Sequence, residues 1–263
     1  MPKAWTCHGR NQRDLVDRLV RANIIRTDSV RDVLSKVDRK YYAPASDVVD
    51  AAYLDMPLSI GMGQTISAPH MHAHVLEEMY PFLKASNHSS LKILDVGCGS
   101  GYLTAALGRW VAPLLSSKQQ HGESNDSKSG GSILDKSKTG HVYGIDVYPY
   151  LVKLSQSNME KGDKDLLDNS IVQLKVSDGW KGLPEAGPFD AIHVGAAAVE
   201  FPKPLMEQLA VGGVLIVPVG PEGGTQNLYR VERSGDGLSE RDFKFTESLG
   251  VRYVPLVQQK EEY

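Results

Sequence analysis

The sequence predicts an α/β protein with a Rossmann-like, mostly parallel seven-stranded sheet, helices on both faces, an N-terminal helical segment and antiparallel C-terminal edge strands. Three observations predict it. Short apolar runs alternate with helix-compatible segments from Leu91 onward, a glycine-rich turn follows the first of those runs, and two late strand-like stretches have no helix between them. At 263 residues and 41% hydrophobic content the chain holds a substantial core, so a single domain spanning 1–263 is expected.

Charge and cysteine content narrow the class. With 29 basic and 32 acidic residues, a net charge of -3, there is no broad basic surface to grip a nucleic-acid backbone. Cys7 and Cys98 stand far apart, which supplies neither a disulfide framework nor a zinc spacing and fits a reducing compartment. The N-terminus lacks the apolar run of a signal peptide, and no stretch reaches the length of a membrane span. The expectation is a cytoplasmic protein with no membrane partner.

Taken in order, residues Asn11 to Ile25 place Leu15, Val16, Leu19 and Val20 on one helical stripe. Thr27 or Asp28 can cap a second helix carrying Val30, Val33, Leu34 and Val37, ended by Tyr41-Tyr42-Ala43-Pro44. From Tyr53 to Gln64 the signals are mixed and the chain reads as irregular. Gly61 to His74 then crowds glycines, small hydroxyls and imidazoles ahead of a helix from Pro69 to Leu83, with Pro81 limiting its end. Ser67 reads as the cap of that helix, with Pro69 in its first turn. The same loop could instead present Thr65, Ser67 and histidines to a substrate.

Leu91 to Val96, the turn Gly97-Cys98-Gly99-Ser100-Gly101 and Tyr102 to Val111 form a strand, glycine turn and helix. Strands follow at Val142 to Val147, Ile171 to Val176, Phe189 to Val194 and Gly212 to Gly220, with edge strands at Gln226 to Glu232 and Val251 to Val257. Ser116 to Thr139 is polar and nearly free of apolar residues, too poor in burial to offset its ordering entropy, and is expected to be a disordered surface insertion. Its removal restores the usual distance, about 20 residues, between a glycine loop and the acidic residue after it, here Asp146.

Tyr102 occupies the place where a dinucleotide fingerprint needs its last glycine, and Asp95 sits two residues before the first. A carboxylate there repels phosphate but suits a cationic amine or sulfonium, which points to S-adenosylmethionine. Asp146 could accept from both ribose hydroxyls, and Asp178 from the adenine amino group. Each aspartate alone could equally make an Asx turn. Three at successive strand ends face the crevice where open α/β sheets bind ligands.

Ile93 to Gly101 followed by Gly144-Ile145-Asp146 resembles the class I, seven-stranded S-adenosylmethionine-dependent methyltransferases. Thr65-Ile66-Ser67-Ala68-Pro69-His70-Met71-His72, Asp190 to Ala197 and Leu215 to Gly220 are similar to the protein-L-isoaspartate (D-aspartate) O-methyltransferase family, a likeness running from the first helices to about Val257. The resemblance implies methylation of the free α-carboxylate of isoaspartyl residues, initiating repair through a succinimide, with S-adenosyl-L-homocysteine as the other product and no obligate partner. It implies Ser67 as the active-site residue, with Gln64, Thr65, Ile66, Ser67 and His72 at the methionine end of the cofactor. Asp95, Gly97 and Gly99 would line its loop, and Asp146, Asp178 and Gly179 would hold its nucleoside. Ala68, His72 and the C-terminal strand, through Val251 and Tyr253, would meet the peptide. Val257 departs from the threonine common in relatives.

A peptide carboxylate, with a pKa near 3 to 4, is already an anionic nucleophile at neutral pH. Orientation therefore dominates, and Ser67 is assigned to aiming the oxygen. His70 and His74 share a helical face, but no neighbouring Cys or carboxylate completes a ligand set, so no metal is expected. His193, on an apolar strand, reads as a packed, hydrogen-bonded core histidine. Two other functions compete. A nucleobase methyltransferase of this fold would carry Asn/Asp-Pro-Pro-aromatic where Gly195-Ala196-Ala197-Ala198 stands, and a non-catalytic isoaspartyl adaptor would need an added recruitment domain.

Overall fold

The computed structural model describes residues 6–44, 51–112 and 139–258. The polar insertion from Ser116 to Lys138 lies outside them, and Thr139 already belongs to a strand. The first helix, α1 (Gln12–Arg21), is capped by Asn11, whose side chain accepts from the Asp14 N–H at 2.9 Å. It stops before Ile25 because Asn23 turns left-handed at φ 58° and the Ile24 and Ile25 N–H groups fold back to the Leu19 carbonyl. Thr27, not Asp28, caps α2 (Asp28–Lys36), accepting from the Val30 N–H.

The segment read as irregular contains a small antiparallel hairpin, β1 (Leu58–Gly61) and β2 (Gln64–Ile66), in a sheet of its own. Met62 and Gly63 both have positive φ at its turn, which matches the right-handed strand twist. Strands this short offer too few alternating residues to show a period. The next helix, α3 (Pro69–Ala85), runs through Pro81 rather than ending there. A proline removes one interior N–H, and here the packing of buried Val75, Leu76, Met79 and Leu83 outweighs that loss.

The main sheet comprises β3 (Ser90–Val96), β4 (Thr139–Asp146), β5 (Val172–Val176), β6 (Phe189–Val194), β7 (Leu209–Val219), β8 (Gln226–Arg233) and β9 (Phe243–Val251). Their order is β5-β4-β3-β6-β7-β8-β9; the first five of these are joined by parallel pairing, and the β7–β8 and β8–β9 pairs are antiparallel. The expected fold class is thus present, with one correction at its edge. The last strand is Phe243–Val251, whereas 252–257 makes only an isolated parallel bridge from Pro255 to Ala197. The polar, alternating Phe243-Lys244-Phe245-Thr246-Glu247 run pairs on one side only, so it carries little of the continuous apolar texture that reveals a buried strand.

Helices α4 (Tyr102–Val111), α5 (Pro149–Gly162), α6 (Lys164–Asp168) and α7 (Lys203–Glu207) complete the layers. Alternate residues of β3 serve two cores. Leu91 and Ile93 pack with α1 to α4, while Leu94 and Val96 pack with Ile192, Leu215 and α7's Leu205 on the opposite face. Sequence order reverses direction between β3 and β6, and ligands of open α/β sheets bind outside the strand ends at such a switch. Among the described residues no helix is long and apolar enough to cross a membrane.

The β6–β7 register shifts between Phe189 and Ala191, next to Gly213. A Cβ on Gly213 would stand 2.9 Å from the carbonyl oxygens of Ala210 and Phe189 and 3.0 Å from that of Asp190, all rigid backbone. Gly213→Ala is expected to lower stability by about 1–3 kcal/mol in urea denaturation. An unchanged midpoint would show that the backbone there yields freely.

Candidate active site

The glycine turn after β3 bends the chain through three left-handed residues, Gly97, Gly99 and Gly101, at φ 76°, 55° and 87°. The N–H groups of Gly97 and Cys98 donate to the Ile145 carbonyl at 2.8 and 2.9 Å, tying the turn to the end of β4. There Asp146 is buried, its carboxylate accepting from the N–H groups of Gly99 and Tyr148, both at 3.1 Å. Burial pushes this carboxyl above the usual range, against the pull of those two bonds. Beside it opens a cleft of about 510 Å³, mouth included, walled by Ile60, Gln64, Gly97, Gly99, Leu151, Gly179 and Leu256. Val257 also lines it, placing this residue where the expected departure from threonine bears on the cleft.

Asp178 is buried on the adjoining turn, where its carboxylate accepts from the Trp180 N–H at 2.9 Å. It is therefore an Asx-type brace beside the cleft, whose wall is formed by the next residue, Gly179. Asp95 lies within β3. Its carboxylate accepts from the Thr104 hydroxyl at 2.5 Å and lies 2.7 Å from His193 Nδ1, which makes His193 the hydrogen-bonded core histidine expected of an apolar strand. Both still face a smaller cavity of about 350 Å³, along with Thr65, Ile66, Ser67, His72 and Ser100.

A third and larger cavity, about 1460 Å³ with its open mouth, carries Thr65, Ser67, Ala68, His70, Val251, Arg252 and Tyr253 on its walls. Thr65 and Gly195 line all three spaces, and Ser67 lines the large and small ones. Burial pushes the Tyr253 phenol up to about 12, with the Ser67 side chain opposing the shift. The chain around Tyr253 is pinned from several sides. Gln226 accepts from the Tyr253 N–H at 2.7 Å and donates to its carbonyl at 3.3 Å, and Trp180 Nε1 donates to the Leu256 carbonyl at 2.9 Å.

Ser67 does not cap α3. The N-cap is Ala68, which makes no side-chain cap bond, and Pro69 is the first helical residue. Asp55 does the work instead: its buried carboxylate accepts from the His70 N–H at 3.1 Å, lies 2.6 Å from His70 Nδ1, and accepts from the Cys7 N–H at 3.0 Å. The Met71 and His72 N–H groups turn to the Ala68 carbonyl. The three histidines diverge: His70 meets Asp55, His74 Nε2 lies 2.8 Å from the Ser248 hydroxyl, and His72 is buried against Tyr102 at 5.0 Å between ring centres. Among the described residues no group of three or more His, Cys, Asp or Glu could hold a metal ion. Sequence reasoning missed Arg39, Asp55 and Gln226. Asp55 stood in the segment read as irregular, and none of the three carries a local motif.

Comparison with known proteins gives a consistent picture. The family model for protein-L-isoaspartate (D-aspartate) O-methyltransferase matches residues 10–119 and 132–261. A wheat protein-L-isoaspartate O-methyltransferase is 37% identical over 94% of this chain and 92% of its own length, and the Caenorhabditis elegans enzyme of that name is 33% identical over 99% and 98%. A Plasmodium falciparum crystal structure named as a protein-L-isoaspartate O-methyltransferase, in complex with S-adenosyl-L-homocysteine, superposes with a TM-score of 0.73 at 29% identity, covering 95% of this chain and all of that one.

Because Gly195 floors all three spaces and a Cβ there would lie 2.9 Å from the Gly97 carbonyl, Gly195→Ala is expected to weaken S-adenosyl-L-homocysteine binding at least about tenfold while the protein stays folded. Calorimetric titration reads it, and wild-type affinity in the variant would refute this view of the cleft.

Proposed function

The chain belongs to the protein-L-isoaspartate (D-aspartate) O-methyltransferase family, and from that premise we propose that it methylates the free α-carboxylate of isoaspartyl residues in proteins and peptides. The observation that carries this reading is the position of Ser67. Its side chain stands between the large cavity, roomy enough for a peptide segment, and the small cavity beside the glycine turn.

The residues of the 510 Å³ cleft fit S-adenosyl-L-methionine. The left-handed glycines leave backbone where a Cβ would intrude, apolar Ile60, Leu151 and Leu256 can enclose a nucleoside, and Asp146 offers carboxylate lone pairs to ribose hydroxyls. Bound there, S-adenosyl-L-methionine supplies an electrophilic methyl group on a sulfonium. In this assignment Asp146, Asp178 and Gly179 hold the nucleoside, and Asp95, Gly97, Gly99, Gln64, Thr65, Ile66, Ser67 and His72 hold the loop and methionine end. Burial and the neighbouring Arg39 push His72 well below the ordinary imidazole range, so it serves there as a neutral hydrogen-bonding ring.

The peptide lies along the large cavity, against Ala68, Val251 and Tyr253; His72, expected to meet it too, faces the small cavity instead. The peptide carboxylate is ionised at neutral pH and needs no general base. Ser67 donates a hydrogen bond that fixes one carboxylate oxygen and aims the other. The pinned 252–257 segment helps exclude water from the methylated oxygen. Methylation converts a poor electrophile into an ester. Attack by the following backbone nitrogen on the ester carbonyl then expels methanol and closes a succinimide, whose hydrolysis can restore a normal linkage. This repair role, and acceptance of D-aspartyl residues, belong to the same proposal. So does a cytoplasmic setting, which suits two buried free cysteines.

With labelled S-adenosyl-L-methionine and paired peptides differing only in Asp or isoAsp linkage, base-labile label is expected on the isoAsp peptide alone. Equal label on both, or none, sinks the assignment. Ser67→Ala is expected to lower kcat by about tenfold to a hundredfold with S-adenosyl-L-homocysteine affinity preserved. Loss of that affinity instead would move Ser67 into cofactor holding. Because burial raises the Asp146 carboxyl and only its ionised form accepts two hydroxyls, cofactor affinity should fall on acidification from a pH above the ordinary aspartate value of about 3.9. Asp146→Asn should bind more weakly at neutral pH and lack that acid limb; an identical pH profile in the variant would exclude Asp146 as its source.

A further inference from the structure

Arg39, in the short 3₁₀ turn Arg39–Tyr41, is wholly buried, yet its guanidinium is poorly matched. Nη2 donates to the Ser67 carbonyl at 2.9 Å, while Nε and Nη1 have no hydrogen-bond partner among the described residues. The group sits over the Tyr102 ring, 5.4 Å from its centre. Its backbone N–H is fixed by Gln12 Oε1 at 3.1 Å, and Gln12 in turn donates to the Leu34 carbonyl and the Tyr102 hydroxyl. Asp55, a carboxylate whose charge favours the ionised guanidinium, has its oxygens engaged by Cys7 and His70. Burial pushes the guanidinium below its ordinary range, although an arginine remains charged at neutral pH even so.

A buried charge without a carboxylate partner is expensive to keep. The surroundings of Arg39 do not repay it: His72, also buried with an unpartnered Nδ1, is held neutral, and Tyr102 is a ring with its hydroxyl already bonded. The repayment lies on the far side of Ser67. If the proposed reaction is right, the group docking at Ser67 is an anion before methyl transfer and a neutral ester after it. A fixed cation behind the Ser67 peptide favours the first over the second.

We propose that Arg39 is a positioning residue with two duties toward the reaction assigned above: it clamps the Ser67 main chain, and its uncompensated charge selects an ionised carboxylate at that site and lets the neutral ester leave. Its side chain lines none of the three cavities described above, so it acts through Ser67 and through its field rather than by touching substrate. A planar, always-charged guanidinium suits this better than an ammonium, because it can bond a carbonyl while lying flat on an aromatic ring.

The test compares an isoaspartyl peptide as substrate with the same peptide bearing an α-carboxamide in place of the α-carboxylate, used as a competitive inhibitor. The wild type is expected to bind the amide at least about tenfold more weakly than the acid. Arg39→Met should raise KM for the acid about tenfold or more, with the amide's Ki and S-adenosyl-L-homocysteine affinity within about twofold of wild type. Arg39→Lys should keep much of the discrimination between acid and amide while kcat falls, since the clamp is lost and the charge is not. Equal binding of acid and amide by the wild type overturns the proposal whether or not Arg39→Met folds. So does an Arg39→Met variant in which acid, amide and S-adenosyl-L-homocysteine all weaken together. Failure of the wild type to methylate the isoaspartyl peptide would instead overturn the functional reading on which this rests.

Discussion

The site depends on how closely two chain segments approach at the ends of β3 and β6. Gly195 donates to the Val96 carbonyl at 2.8 Å and leaves no room for a Cβ against Gly97. The connections there run to opposite sides of the sheet, and the gap between the strand exits is where open α/β sheets bind ligands. A side chain at Gly195 would press on the Gly97 carbonyl, and one at Gly97 would strain its left-handed backbone. The glycines therefore set the depth of the cleft, and everything else decorates its rim.

The two halves of that rim are built by different physics. The cofactor half comes from one contiguous strand, turn and helix, with Asp146 reaching across a single neighbouring strand to the Gly99 N–H. The half around the large cavity is assembled from distant pieces: the N-terminal segment, the hairpin, the start of α3 and the tail after β9. Buried polar groups join them. Asp55 ties Cys7 to His70, Arg39 ties the turn after α2 to Ser67, and Gln226 ties β8 to Tyr253. Each such group is costly to bury unless satisfied, and each fixes a unique arrangement of loops that apolar packing alone would leave adjustable.

This division explains what the sequence disclosed. Strands β3 to β7, and the helix after the glycine turn, are written as local periods, and their boundaries were legible to within a few residues. The glycine turn with Asp146 was legible too, once the polar insertion was discounted. The hairpin over 58–66 was not, because three or four residues per strand carry no period. The exchange of Phe243–Val251 for Val251 to Val257 has the same root, since pairing on one edge leaves a polar strand while the apolar segment after it packs without a ladder. Pro81 misled because interior prolines are judged by local cost, whereas buried neighbours on α3 decide. Asp55 and Arg39 escaped altogether: their partners lie 15 to 48 and 28 positions away, and no spacing rule links a carboxylate or guanidinium to a loop so remote.

The misreading of Ser67 is the most instructive, because the cap and the site compete for one side chain. A serine that caps a helix turns its oxygen toward the N–H groups of its own first turn. A serine that aims a substrate must turn the same oxygen outward. The chain resolves the conflict by starting α3 one residue later, at an alanine and a proline, and by sending Asp55 to meet the His70 N–H. The helix start is thereby served by Asp55, and the Ser67 side chain is left to line the large and small cavities. Asp55 also engages the His70 ring, so the residue that relieves Ser67 of capping also fixes a second wall of the large cavity. The helix start and the wall of the large cavity are in this way one structure, held by a carboxylate that lines none of the three cavities.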